Sequence, residues 1–79
     1  MTITTLDQLP PGPQARVTAV QLTGAERRRM MDLGILPGAA IAVALENPLG
    51  DPTAYRVRGA VIALRREQAQ HIQVEIERA

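Results

Sequence analysis

The residues of this chain that could do chemistry are few and scattered. His71 is the only histidine, cysteine is absent, and none of the threonine hydroxyls has a neighbouring group that would activate it. Covalent catalysis needs a nucleophile held beside a base. Five carboxylates are scattered over different predicted elements, and nothing in their spacing resembles a paired general acid and base: Asp7, Asp32, Glu46, Asp51 and Glu67. We therefore expect no enzymatic activity.

A resident metal is not expected either. A metal site needs three or four converging ligands, and His71 with Glu75 or a nearby carboxylate would leave positions open. We predict no cofactor and no intrinsic metal site. His71, expected at the exposed start of the last strand, is the one weak candidate for an adventitious transition metal ion that bridges two molecules.

Three consecutive arginines, Arg27 to Arg29, place three guanidinium groups within one helical turn. They could hold phosphate or the acidic face of a protein partner, or they could be an ordinary solvated helix face. Met31 and Leu36 are expected to be partly exposed beside them, in a mixed patch that suits protein docking and equally fits plain helix packing. Nucleic acid is disfavoured because Tyr55 is the only aromatic residue and the net charge is +1.

The helix that carries these arginines has signals at both ends. Thr23 with Glu26 three residues later has the spacing of a capping box, which predicts that the helix begins at Gly24. Gly34 can adopt the left-handed conformation that follows many helices, so the helix is expected to end at Leu33.

The residues after this helix predict a turn and then a strand. Ile35 stands where a Schellman motif places an apolar contact back to Met30. Pro37 and Gly38 suit the two central positions of a type II turn, because proline presets φ and glycine accepts a positive φ.

Alternating apolar residues predict five strands, with Leu6 and Leu9 in a short turn before the first. In the second strand Ile41, Val43 and Leu45 are expected to share the buried face. Gly59 allows a bend between the third and fourth strands, and the loop 47–52 is dense in turn formers and is expected to move. The strands are predicted at 15–22, 40–45, 55–58, 61–64 and 72–77, with a helical turn at 65–70.

Together these elements predict a mainly β fold, a small bent barrel of about five antiparallel strands. It has one short α-helix between the first two strands and a helical turn before the last. Closing the sheet would hide strand edges that invite aggregation. The 79 residues fit one domain, 1–79. The first residues lack the features of a signal peptide, and no uncharged stretch is long enough to span a bilayer, so we expect a cytoplasmic protein.

The chain resembles the FeoA family of bacterial ferrous iron uptake. The arginine-to-Pro-Gly segment and the later Ala-Leu-Arg segment are jointly specific in this order and spacing. Met30 stands where the family usually has leucine, a change of similar volume. The matching positions are Leu9, Gly12, 29–38, 48–52, Gly59, 63–69 and 72–74.

The resemblance implies an SH3-like barrel and a non-enzymatic cytoplasmic accessory of FeoB, the membrane iron transporter with a GTPase domain. It does not imply that this chain binds iron. We expect the chain to be a monomer or a weak dimer that docks on the cytoplasmic part of FeoB. The expected contact residues are Arg27, Arg28, Met31, Leu36 and Leu49.

Two alternatives stay open from the sequence. A similar barrel is appended to iron-dependent repressors of the DtxR type, where it makes regulatory contacts, although this chain has no room for a DNA-binding helix pair. An oligonucleotide-binding small barrel is the other alternative, and it predicts an affinity that falls steeply with added salt.

Overall fold

The computed structural model of the protein describes residues 2–77 as six strands, two helices and one 3₁₀ turn at Leu6–Gln8. The five expected strands, the helix between the first two of them and the late helical turn are all present. In chain order the elements are β1 (Thr2–Thr5), β2 (Ala15–Val20), α1 (Gly24–Asp32), β3 (Ala40–Leu45), β4 (Thr53–Val57), β5 (Ala60–Leu64), α2 (Arg66–Ala69) and β6 (Ile72–Ile76).

The strands form one antiparallel sheet in the order β1-β6-β2-β3-β4-β5. The sheet curls so that its two ends approach each other: the hydroxyl of Tyr55 in β4 donates a hydrogen bond of 3.3 Å to the carbonyl oxygen of Leu6, just after β1. The mainly β, SH3-like small barrel is thus confirmed. Its expected closure is not complete, since β1 and β5 are the two ends of the strand order and do not pair with each other.

The strand that the sequence analysis missed is β1. Its four residues pair with β6 from Thr2 opposite Ile76 to Thr5 opposite Gln73. A threonine-rich segment with one strongly apolar residue carries little alternation, so pairing with a strand about seventy residues later decides its structure.

A register shift in β2 explains the burial of Val20. Ala15 and Val17 point into the core, but the pairing with β6 shifts between Val17 and Ala19. An extra residue in one strand changes which later side chains face inward. Val20 is therefore buried on the same side as Ala15 and Val17, although strict alternation along an unbroken strand would put it on the opposite face.

A second register shift corrects the expectation for β3. Ile41 is buried and Val43 is partly buried against the core, but the pairing with β4 shifts between Val43 and Leu45. Leu45 consequently points outward with 71% of its surface exposed. Its predicted place on the buried face is wrong.

The core receives side chains from the sheet, from both helices and from the 3₁₀ turn. α1 contributes Met30, and the 3₁₀ turn with the residue after it contributes Leu6 and Leu9. Among residues 2–77 no polar or charged residue is buried, when Tyr55 is counted with the hydrophobic residues. Among residues 2–77 the fourteen buried hydrophobic residues are Leu6, Leu9, Ala15, Val17, Val20, Met30, Ile35, Ile41, Tyr55, Val57, Leu64, Ala69, Ile72 and Val74.

Candidate partner-binding site

The start of α1 differs from the expected capping box. Thr23 precedes the helix in an extended conformation, but its side chain makes no capping hydrogen bond. Gly24 has φ of 61°, and the first backbone bond, from the Arg27 N–H to the Thr23 carbonyl oxygen, is long at 3.5 Å. A left-handed residue directly after the cap turns the first N–H groups away from the threonine hydroxyl. The capping box of Thr23 and Glu26 is therefore a wrong prediction, although the helix begins where expected.

The end of α1 is a Schellman motif, as predicted. Gly34 has φ of 91°, its N–H donates to the Met31 carbonyl oxygen at 2.9 Å, and the Ile35 N–H donates to that of Met30 at 2.8 Å. Met30 and Ile35 are both fully buried. These bonds satisfy the carbonyl groups that a helix end leaves free and anchor it in the core.

The next turn holds Leu36 in place. Gly38 has φ of 97° and the Ala39 N–H donates to the Leu36 carbonyl oxygen at 3.0 Å, which confirms the turn expected at Pro37 and Gly38. The guanidinium of Arg16 donates to the Gly38 carbonyl oxygen at 2.7 Å and ties this turn to β2.

Arg27 and Arg28 play different parts on the helix. Nη1 of Arg27 donates a hydrogen bond of 2.7 Å to the carbonyl oxygen of Val20, where β2 ends, and so fixes α1 to the sheet. Arg28 is exposed and has no hydrogen bond or ion pair within the part of the chain that the structure describes. Met31 is 51% exposed, and the three side chains leave the helix within an arc of about 100°.

Leu36 and Leu49 lie on two different connections. Leu36 is half-buried in the turn after α1, whereas Leu49 is 90% exposed in the loop between β3 and β4. That loop is held by hydrogen bonds from the N–H groups of Leu49 and Gly50 to Asn47, at 2.9 and 2.7 Å. The structure groups Arg27, Arg28, Met31 and Leu36 on α1 and its following turn. That Leu49 joins them in one contact surface stays a prediction.

Arg58 is the residue beside this site that the sequence analysis did not single out. It has φ of 51° and forms, with Gly59 at φ of 81°, the two-residue turn between β4 and β5. A Cβ atom on Gly34 would lie 2.6 Å from Cδ of Arg58, so the arginine side chain packs directly on the end of α1. Arg58 also lines a shallow cleft with Leu36. A residue-glycine pair between two alternating strands is the hairpin signal that could have located it.

His71 lies where it was expected, exposed in the turn just before β6. It shares a surface depression with Glu26 and Glu67. Within residues 2–77 no three His, Cys, Asp or Glu side chains are grouped so that they could hold a metal ion.

Tyr55 is the titratable residue with a shifted pKa. Burial raises the pKa of its hydroxyl above the ordinary value of 10.0, and the hydrogen bond with Thr53 offsets part of that rise. The phenol therefore stays protonated and donates to the Leu6 carbonyl oxygen. This hydrogen bond links β4 to the turn that follows β1.

No helix within the described range 2–77 is long and apolar enough to cross a membrane. The longest, α1, has nine residues.

The fold and this surface define a small SH3-like β domain whose exposed features suit contact with other molecules. Residues 4–76 match the model of the FeoA domain, so the chain belongs to the FeoA family. The FeoA family is associated with ferrous iron transport and is not a known family of enzymes.

Among curated proteins, the chain is similar to the Fe(2+) transport protein A/Fe(2+) transporter FeoB fusion protein of Porphyromonas gingivalis. The two are 38% identical over 71 residues, which are 90% of this chain and 8% of the fusion protein. The chain thus spans less than a tenth of the length of that relative.

Two solved FeoA structures share the fold. The FeoA protein of Chlorobium tepidum is 41% identical with a TM-score of 0.86, over 92% of this chain and 70% of that one. The FeoA of Stenotrophomonas maltophilia, described as a procaryotic SH3 domain protein and solved in complex with zinc, is 30% identical with a TM-score of 0.80. That match covers 91% of this chain and 89% of the other.

A further solved structure shares the fold at lower identity. IdeR of T. acidophilum superposes with a TM-score of 0.81 at 20% identity, over 98% of this chain and 35% of that chain. At this identity the likeness shows the architecture alone.

Proposed function

We propose that this protein is a cytoplasmic, non-enzymatic adaptor that docks on the GTPase region of an FeoB transporter and modulates it. The observation that carries the proposal is the fusion protein of Porphyromonas gingivalis, in which a related segment and FeoB belong to one polypeptide. Two modules joined in one chain in one organism are good candidates to associate as separate chains in another.

The contact surface proposed for this docking is Arg27, Arg28, Met31, Leu36 and Leu49. Its support is that Arg28 has no partner among residues 2–77 and that Met31 and Leu49 expose apolar side chains to solvent. Exposed apolar side chains beside an arginine resemble the centre of a protein interface, where apolar residues and arginine concentrate.

Within this surface Arg27 acts as a positioning residue. Its Nη1 is already bonded to the Val20 carbonyl oxygen, so its first effect is to fix the orientation of α1. Arg28 and Met31 then supply the contacts, because they lie on the same side of the helix.

Modulation requires that the adaptor distinguish two states of its partner. A ligand that binds both nucleotide states of a GTPase equally well shifts nothing, however tightly it binds. The proposal therefore includes a difference in affinity between the GTP-bound and nucleotide-free forms.

Calorimetric titration of this protein into the soluble GTPase domain of the cognate FeoB, with and without a GTP analogue, tests the proposal. We expect saturable binding whose dissociation constant differs between the two states. Absence of binding in both states would overturn docking on the GTPase domain.

Charge reversal tests the surface. Arg28→Glu should weaken binding by about tenfold or more, as expected for a central interface arginine. The control is Gln14→Glu, which introduces a glutamate at an exposed position just before β2, outside both surfaces proposed for partner contact. Equal affinities of the two folded variants would contradict the assignment of the surface.

A further inference from the structure

The outer edge of β5 is an unpaired backbone surface. β5 pairs with β4 from Ala60 opposite Val57 to Leu64 opposite Thr53, and it is the last strand of the sheet. In an antiparallel ladder that starts from a two-residue turn, every second residue bonds to the partner strand and the others point their N–H and C=O groups away. The outward groups are those of Val61 and Ala63, and neither residue has a hydrogen-bond partner outside the β4 ladder within the described chain.

This edge lacks the usual protection against pairing. Natural edge strands are commonly interrupted by a charge, a proline or a bulge. The five residues Ala60–Leu64 contain none of these, and their pairing with β4 runs without a shift in register. Val61 is 58% exposed and Ala63 is also exposed.

Three arginines surround the exposed side of the strand. Arg56 lies directly opposite Val61 on β4. Arg29 from α1 and Arg65 line a cleft of about 420 Å³ with Ala63, and Glu67 is the one acidic residue among its lining residues. None of the three arginines has an ion-pair partner within residues 2–77.

The charges disfavour a second copy of the chain as the occupant. If two copies of β5 paired antiparallel along all five residues, the two-fold axis would pass through Ile62. Arg58, just before the strand in one copy, would then face Arg65 and Arg66, just after the strand in the other copy. Like charges directly opposite each other destabilise strand pairing.

We propose that the free edge of β5 binds an extended acidic peptide segment of a partner protein as an additional strand. Backbone hydrogen bonds to Val61 and Ala63 hold the segment, alternate apolar side chains pack on Val61, and acidic residues at its ends meet Arg29, Arg56 and Arg65. This inference does not rest on docking with FeoB, because it concerns a different face from Arg28 and Met31.

The probe is a synthetic peptide of nine residues. It has two glutamates at each end, and the five residues between them are valine, threonine, valine, threonine and valine. NMR titration of the whole chain should show saturable binding, with shifts concentrated at Val61 and Ala63. The same peptide with lysines in place of its four glutamates should bind about tenfold more weakly or not at all.

Amide exchange distinguishes strand addition from contact by side chains alone. At saturation the N–H groups of Val61 and Ala63 should exchange about tenfold more slowly, because they enter a hydrogen-bonded ladder. Those of Ile62 and Leu64 already bond to β4 and should change little. Unchanged exchange at Val61 and Ala63 in the bound state would overturn the proposal.

Variants test separately how the backbone N–H groups and the arginines contribute to peptide binding. Val61→Pro removes an outward N–H without touching the β4 ladder and should abolish binding, whereas Val61→Thr keeps the N–H and should retain it. Should the proline variant not fold, Arg65→Glu gives the decision. It lowers the summed charge of Arg29, Arg56, residue 65 and Glu67 from +2 to 0, so the preference for the glutamate peptide should largely disappear. If the folded Arg65→Glu variant still prefers the glutamate peptide to the same degree, the acidic segment is not what this edge binds. The same conclusion follows if, without peptide, the Val61 N–H exchanges more slowly as the protein concentration rises, because a second copy of the chain then pairs with the edge.

Discussion

The two ends of α1 show how differently one short helix can be held. At its C-terminal end Gly34 and Ile35 donate to the last carbonyl groups, and Met30 and Ile35 are fully buried. At its N-terminal end the threonine cap is unused, the first backbone bond is 3.5 Å long, and a side chain from within the helix, Arg27, makes the attachment to β2.

The difference teaches where this helix draws its stability. The C-terminal end combines local hydrogen bonds with burial in the core, so it should tolerate little change. The N-terminal end is exposed and relies on one long-range hydrogen bond, so most substitutions there should cost little. Four substitutions test this contrast.

The largest effect is expected for Gly34→Val. A β-branched residue at φ of 91° is strained, and its Cβ would lie 2.6 Å from Cδ of Arg58. We expect a loss of about 3 kcal/mol or more in the free energy of unfolding, measured by urea titration.

The double variant with Arg58→Ala divides that loss into its two causes. Removing the arginine side chain should restore the part that comes from the clash, and the strain of the positive φ should persist. A Gly34→Val variant as stable as the parent protein would remove the contrast between the two ends.

Gly24→Ala should have an intermediate effect. Gly24 also has a positive φ, 61°, but a Cβ atom there would meet nothing within 4 Å. Only the left-handed strain remains, so we expect a loss of about 1 kcal/mol in the same measurement. Gly34→Ala is the matched substitution at the other end and should cost more, and the opposite order would contradict the comparison.

Arg27→Ala should cost about 1 kcal/mol, because it removes the hydrogen bond to the Val20 carbonyl oxygen on a partly exposed site. Arg28→Ala, next to it and without a partner among residues 2–77, is the control and should stay within about 0.5 kcal/mol of the parent. Equal losses in the two variants would mean that the bond of Arg27 does not hold the helix.

The smallest effect is expected for Thr23→Ala. Removing a working threonine cap costs about 1 kcal/mol, but this hydroxyl makes no capping bond, so the loss should stay below about 0.5 kcal/mol. Thermal unfolding followed by circular dichroism is sensitive enough to check this. A loss of a full kcal/mol would show that Thr23 caps the helix in solution.

The sequence analysis succeeded where the signal was local. The end of α1, the turn at Pro37 and Gly38 and the bend at Gly59 all depend on glycines whose positive φ other residues rarely adopt. Arg58, predicted as the last residue of a strand, belongs instead to the turn with Gly59. The sequence analysis failed at Thr23. Whether its hydroxyl caps the helix depends on the backbone conformation of Gly24, and the pattern of residue types does not specify that conformation.

The candidate site was predicted in part. Exposed positions for Arg28 and Met31 follow from helical spacing once Met30 is placed in the core. The bond that occupies Arg27 could not be predicted, because its acceptor is a backbone carbonyl group seven residues earlier whose direction depends on the end of β2. The free edge of β5 could not be predicted either. Whether a strand lies at an edge depends on which other strands pair with it, and the residues of the strand itself do not show that.

The sequence by itself determined the order of five strands and of the two helices and the approximate bounds of α1, because hydrophobic alternation and turn residues act over a few positions. The SH3-like class was implied by the resemblance to the FeoA family. Only the tertiary structure decided that Thr2–Thr5 is a strand, that Leu45 points outward and that β5 lies at an edge. Each of these depends on the register between strands distant in the chain, and that register is selected by the packing of the whole core rather than by any one segment.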